Sequence, residues 1–143
     1  MKRPNREEYF FEIAGVVATR STCPRLRVGA VLVSKADMVI GTGYNGAPRG
    51  VEHCTEAGCI LAHESCIRAV HAEANAICNS ASAGHATEGA TLYVTHSPCL
   101  KCFGLLINAG VKNVYFKTRY RYDDRIVGFA RDSFVNLYEC SNE

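Results

Sequence analysis

Residues 71–102 read HAEANAICNSASAGHATEGATLYVTHSPCLKC, and the succession of patterns in this stretch decides the fold. It enters at the end of an expected helix, Cys66 to Ser80, whose apolar face carries Ile67, Val70, Ala74 and Ile77. A polar, small-residue connection runs from Ser80 to Gly89, and Ala90 to Thr95 reads as a strand. Ser97-Pro98 opens a second helix, Cys99 to Ala109, which Gly110 closes. Helix, strand, helix in that order favours parallel strands joined by helical crossovers.

Working outward, Arg6 to Thr19 has apolar residues at helical spacing, and Pro24 forbids easy continuation. Val28 to Val33 and Met38 to Thr42 are β-branched-rich segments flanking Ser34-Lys35-Ala36-Asp37, a hairpin turn. Gly41 to Gly50, with four glycines and Pro48, reads as a loop, and Val51 to Ser65 as irregular and rich in Cys and His. Downstream, a strand is expected at Lys112 to Phe116, a short helix at Ile126 to Arg131 and a last strand at Phe134 to Tyr138. The sum is an α/β fold: a mixed five-stranded sheet, antiparallel at its opening hairpin and parallel later, with helices on both faces.

The chain has 143 residues, 48% hydrophobic and 21% charged, which suits one packed domain spanning 1–143. No apolar run is long enough to cross a bilayer, and Glu7, Glu8 and Glu12 interrupt any secretory h-region, so the reading is cytoplasmic with no membrane partner. A net charge of +2 without a long basic run argues against a nucleic-acid partner. Eight cysteines in a chain of this class point to metal ligands or buried thiols rather than disulfides.

His71, Cys99 and Cys102 supply one imidazole and two thiolates, the three-ligand set that a catalytic zinc takes while keeping a position for water. Glu73, two residues from His71, can stay beside the metal without binding it. Zinc lowers the pKa of its water toward neutrality, and a carboxylate beside it can take a proton from that water and pass it to a leaving group. Cys99 and Cys102 are placed at a helix N-terminus, whose dipole favours thiolates. A structural zinc with a fourth Cys or His is the competing reading, and His-x-Glu with Pro98 before Cys99 favours catalysis.

His-x-Glu followed by Pro-Cys-x-x-Cys is the signature of zinc nucleobase deaminases. With Ser21-Thr22-Cys23-Pro24-Arg25-Leu26-Arg27-Val28-Gly29-Ala30, Gly43-Tyr44-Asn45-Gly46, His71-Ala72-Glu73-Ala74-Asn75-Ala76-Ile77 and Tyr93-Val94-Thr95, the chain resembles the deoxycytidylate (dCMP) deaminase family, from about Tyr9 to Phe116. The resemblance implies a three-layer α-β-α cytidine-deaminase-like fold and hydrolysis of dCMP to dUMP and ammonia, a step toward thymidylate. It implies that Asn45 holds the deoxyribose or base edge and that the surroundings of Ala72 line the base pocket. For the 5′-phosphate the candidates are Arg25, Arg27, Arg49, Arg119, Arg121 and Arg125, with Arg27 and Arg121 ranked first. Many family members are homohexamers activated by dCTP with Mg2+ and inhibited by dTTP, at an effector site involving the region Gly43, Tyr44, Asn45 and Gly46. Members also carry a second, structural zinc between the first loop and the catalytic helix. Here Cys23, Cys54, Cys59 and Cys66 are the expected ligands, and His53 or His63 could replace one of them.

Three other readings share parts of these motifs. A free cytidine or cytosine deaminase would not require the cysteine-rich segment or the Gly-Tyr-Asn-Gly loop. A tRNA adenosine deaminase wants a basic face. A zinc module without turnover would be indifferent to loss of Glu73.

Overall fold

A computed structural model describes residues 1–63 and 65–141. The elements in chain order are α1 (Arg6–Ala18), β1 (Gly29–Val33), β2 (Val39–Tyr44), α2 (Cys54–Ala57), β3 (Leu61–Ala62), β4 (Ser65–Cys66), α3 (Ala72–Ser82), β5 (Thr91–His96), α4 (Leu100–Asn108), β6 (Asn113–Thr118), α5 (Arg125–Ser133) and β7 (Asn136–Glu139). Five strands form one sheet in the order β2-β1-β5-β6-β7, and β3 pairs with β4 apart from it. β1 runs antiparallel to β2 and β5, while β5, β6 and β7 are mutually parallel. This is the mixed five-stranded α/β architecture expected from the pattern.

Strand alternation divides the core in two. Ala30, Leu32, Leu92, Val94, Val114 and Phe116 face the layer made by α3, α4 and α5. Val31, Val33 and Tyr93 face α1, meeting Phe10, Phe11 and Ala14. Covered on both sides, β1 is buried along its whole length, so it reads as a continuous apolar run rather than an alternation. α1 begins on a reciprocal cap: Asn5 Oδ1 accepts from the Glu8 N–H, and the Glu8 carboxylate accepts from the Asn5 N–H, both at 2.9 Å.

Three expectations change. β2 continues through Tyr44, so Gly41 and Gly43 belong to a strand and not to a loop. Their lack of a side chain serves packing: a Cβ at Gly43 would collide with the Ala72 carbonyl and the Ala76 nitrogen, and one at Gly41 with Ser80. α3 thereby lies directly on β2. The second change is the start of α3. Cys66 belongs to a hairpin strand, Val70 makes an antiparallel bridge to Gly46, and the helix starts only at Ala72, with His71 as its N-cap. Ile67, expected on the helix's apolar face, is 64% exposed. The segment from 51 to 65 also holds more order than expected, a single turn of helix and a two-residue hairpin.

Candidate functional site

Two helix N-termini converge at one end of the sheet. His71 precedes the first turn of α3 in extended conformation, and Cys99 precedes that of α4. Cys99 is a helix N-cap made of sulfur: its Sγ accepts from the Cys102 N–H at 3.5 Å. His71 Nδ1 lies 3.6 Å from Cys99 Sγ and 3.4 Å from Cys102 Sγ. Nitrogen and sulfur bound to one tetrahedral zinc, at the usual bond lengths, stand about 3.5 Å apart. The trio, with all three ligand atoms within 4.8 Å of one another, therefore fits such an ion.

The three donors are hydrogen-bonded to one another, and those contacts shift their proton affinities. The Cys102 thiol hydrogen-bonds to Cys99 and brings the Cys99 sulfur down to about 4, with help from His71 and against the effect of burial. The same contact, with burial, raises Cys102. The hydrogen bond to Cys99 raises His71 against the desolvation of the ring. Glu73 is 4% exposed, and burial pushes its carboxyl up to about 7 against the favourable contact with the Cys102 thiol.

His71, Glu73 and Cys99 open into a cavity of about 190 Å³. Ala72 and Glu73 line it, and Arg25, Asn45, Tyr120 and Arg121 stand among its other walls. The Asn45 side chain spends most of its capacity inside the protein. Oδ1 accepts from Ser21 Oγ at 2.6 Å and from the Val28 N–H at 2.8 Å, and Nδ2 donates to the Leu26 carbonyl at 2.6 Å. It braces the loop before β1, with one amide hydrogen left beyond these bonds. Because Leu26 and Val28 both bind Asn45, Arg27 between them is exposed and lies outside the cavity lining, while Arg25 is part of it. Three other arginines are engaged elsewhere: Arg49 with Asn79 and Ser82, Arg119 with Glu139, and Arg125 with Asp123.

The remaining residues of the Gly-Tyr-Asn-Gly run do not line the cavity. Gly43 and Tyr44 are in β2, and Gly46 pairs with Val70 and sits against Thr22. His96 and Ser97 do line it, although the pattern ends the strand at Thr95 and marks Ser97 only as a helix opening. Their signal was position: they immediately precede Pro98-Cys99, where β5 delivers the chain to the metal trio.

A second group, Cys54, Cys59 and Cys66, also brings its sulfurs within 4.8 Å of one another, with Cys54 Sγ and Cys66 Sγ 3.5 Å apart. Burial pushes the Cys54 thiol up to about 12. At Cys66 burial acts the same way but is outweighed by the backbone N–H of Ala69, the Cys54 thiol and further backbone N–H groups, which bring the sulfur down to about 7. The structure gathers three of the four expected cysteines. Cys23 stands outside the group, buried, with its N–H on Ser21 Oγ, and it lines the cavity instead. His53 is hydrogen-bonded to Thr22 through Nδ1 at 2.8 Å, and His63 is exposed at a positive φ of 49°. No helix among the described residues is long and apolar enough to cross a membrane.

The family model described as the cytidine and deoxycytidylate deaminase zinc-binding region matches residues 4–118. ComE operon protein 2 of Bacillus subtilis is 44% identical over 85% of this chain and 64% of its own length. The deoxycytidylate deaminase of Mycobacterium phage D29 is 42% identical over 81% of this chain and 97% of its own length. Among solved structures, the dCMP deaminase of cyanophage S-TIM5, in complex with dCMP and dUMP, superposes with a TM-score of 0.83 at 30% identity, covering 97% of this chain and 99% of that one. The chain spans between 44% and 64% of the length of three of the curated relatives it matches.

Proposed function

The chain belongs to the cytidine and deoxycytidylate deaminase family, and from that premise we propose that it hydrolyses dCMP to dUMP and ammonia. The observation that carries the reading is Glu73: a buried carboxyl, held up to about 7, beside the trio His71, Cys99 and Cys102 on a cavity wall. His71, Cys99 and Cys102 would hold zinc, in the three-ligand count of a catalytic site. Zinc bound there supplies a Lewis acid that brings a water's pKa toward neutrality.

Glu73 does the proton work. Its carboxylate takes a proton from the attacking water and passes it to N3 of the pyrimidine. It then carries the second water proton to the amino group leaving C4, so that water and dCMP become dUMP and ammonia. A carboxyl held near 7 accepts and returns protons near neutral pH without strong bias either way. Ala72 bounds the base, and the remaining amide hydrogen of Asn45 offers one donor to the sugar or base edge. Arg25 and Arg121 in the cavity wall support recognition of the 5′-phosphate, and this pairing replaces the earlier ranking of Arg27.

Three further parts of the reading rest on resemblance, and the first of them on geometry as well. Cys54, Cys59 and Cys66 would hold a second, structural zinc. Activation by dCTP with Mg2+, inhibition by dTTP, and assembly into a homohexamer follow the family pattern. A dCMP saturation curve that neither triphosphate moves removes the regulation, and a monomeric mass in solution removes the hexamer. The substrate assignment is tested by a deamination assay across dCMP, CMP, deoxycytidine and dCTP. The proposal requires dCMP to be preferred, and equal rates on dCMP and deoxycytidine contradict it.

A further inference from the structure

Ser97 joins two loops whose jobs differ. It follows β5 and stands two residues before the metal-ligand candidate Cys99, yet its bonds go across to the loop after β6. Its backbone N–H donates to the Thr118 carbonyl at 2.8 Å, continuing the β5–β6 ladder one step past the paired strands. There the backbones diverge and the side chain takes over. Ser97 Oγ accepts from the Tyr120 N–H at 2.9 Å and donates to the Tyr120 carbonyl at 3.2 Å. Ser97 is 8% exposed, so the residue whose hydroxyl makes both bonds is itself buried. The His96 ring packs edge-on against the Tyr120 ring, with centroids 6.3 Å apart and planes at 82°. Tyr120 is thus held by its backbone and by its ring.

The residue this clamp presents is Arg121. Its φ is 45°, a left-handed conformation that a non-glycine residue adopts only when its surroundings impose it. Its guanidinium lies over the Tyr120 ring, 5.4 Å from the centroid, and the residue lines the cavity.

We propose that Ser97 is a positioning residue for recognition of the 5′-phosphate monoester, tying Tyr120 and Arg121 to the turn that carries the metal ligands. The inference rests on the functional reading above. Because Ser97 acts through Arg121, it affects substrates that carry the phosphate and spares those that lack it. Because it touches neither the trio nor Glu73 in this arrangement, it acts on KM and leaves kcat alone.

The test uses the full-length zinc-loaded protein, with Ser97→Ala, Ser97→Thr, Arg121→Ala and the Ser97→Ala/Arg121→Ala double variant. Steady-state kinetics are measured on dCMP and deoxycytidine, and amide hydrogen exchange is followed at Tyr120. Ser97→Ala is expected to raise KM for dCMP about five- to ten-fold, the scale of a lost neutral hydrogen bond, at unchanged kcat and zinc content. Deoxycytidine kinetics stay put, Ser97→Thr restores KM by returning the hydroxyl, and Ser97→Ala adds nothing on top of Arg121→Ala. Equal losses on both substrates, a fall in kcat, or additivity with Arg121→Ala overturn the proposal. So does a Tyr120 amide that exchanges at the unprotected rate in the wild type, a result that needs no variant to fold. A wild type that does not prefer dCMP contradicts the functional reading instead, and Tyr120 exchange then still decides whether the clamp exists.

Discussion

The trio His71, Cys99 and Cys102 hangs on helix ends that a core holds in place, whereas Cys54, Cys59 and Cys66 lie on a segment with almost no core of its own. Behind the first, Ala72, Ala76, Phe103 and Leu106 are fully or almost fully buried against the sheet. Around the second, Val51, Ile60, Leu61 and Ile67 are all exposed, and β3 and β4 are two residues each. Arg68 ties the segment by donating to the carbonyls of Gly58 and Glu52. A site on a prepared scaffold can leave room for chemistry, because the fold does not need the metal. A site on a coreless segment makes the metal part of the fold.

The sharpest way to break this contrast is to remove one ligand from each trio. Cys102→Ser should abolish turnover and release the first zinc while the protein keeps its cooperative unfolding, as read by activity, metal analysis and thermal denaturation. Cys54→Ser should also cost one zinc, but with a different signature. Limited proteolysis should now cut between residues 51 and 67, stability should fall by about 1–3 kcal/mol, and residual turnover should survive. Identical proteolysis patterns for the two variants would mean that the trios do not differ in kind.

Gly43→Ala probes the scaffold behind the first trio. The added methyl has no room between β2 and the first turn of α3, so a loss of about 1–3 kcal/mol is expected by denaturant unfolding. Turnover should fall with it, because the displaced turn carries Glu73 and follows His71. Gly58→Ala, in the cysteine-rich segment, meets open space and bears only the cost of its positive φ of 82°, so its effect should be the smaller.

A further expected effect is a pH dependence in protein stripped of metal. The folded-state pKa of Glu73 is raised to about 7 by burial, so the native state holds its proton where the unfolded chain has released it. Stability should therefore fall as pH rises from the ordinary carboxylate range toward 7 and level off above that. Glu73→Gln should flatten this slope between pH 5 and 7, as read by denaturant midpoints. An unchanged slope would place the carboxyl in water rather than in the core.

Much of this was legible in the sequence because it is local or periodic. The mixed sheet, antiparallel at its opening hairpin and parallel later, follows from the succession of strand and helix patterns along the chain. Cys99 and Cys102 could be placed at a helix start because Pro98 and Gly110 bracket that helix. What could not be read depends on partners far along the chain. α3 starts late because Val70 pairs with Gly46, and Gly43 is glycine because Ala72 lies above it. Arg27 is turned outward because Asn45 holds the residues on either side of it. Cys23 has the right composition for the second trio, but its position is set by Ser21 and the loop before β1.

Glu73 is proposed as the proton carrier at a metal site that it does not itself build. The measurement is dCMP turnover by Glu73→Gln, with zinc content determined on the same sample. That role for Glu73 requires a loss of about a hundred-fold or more, the scale of general acid–base catalysis, with zinc content equal to the wild type. Turnover close to wild type with full zinc would contradict it.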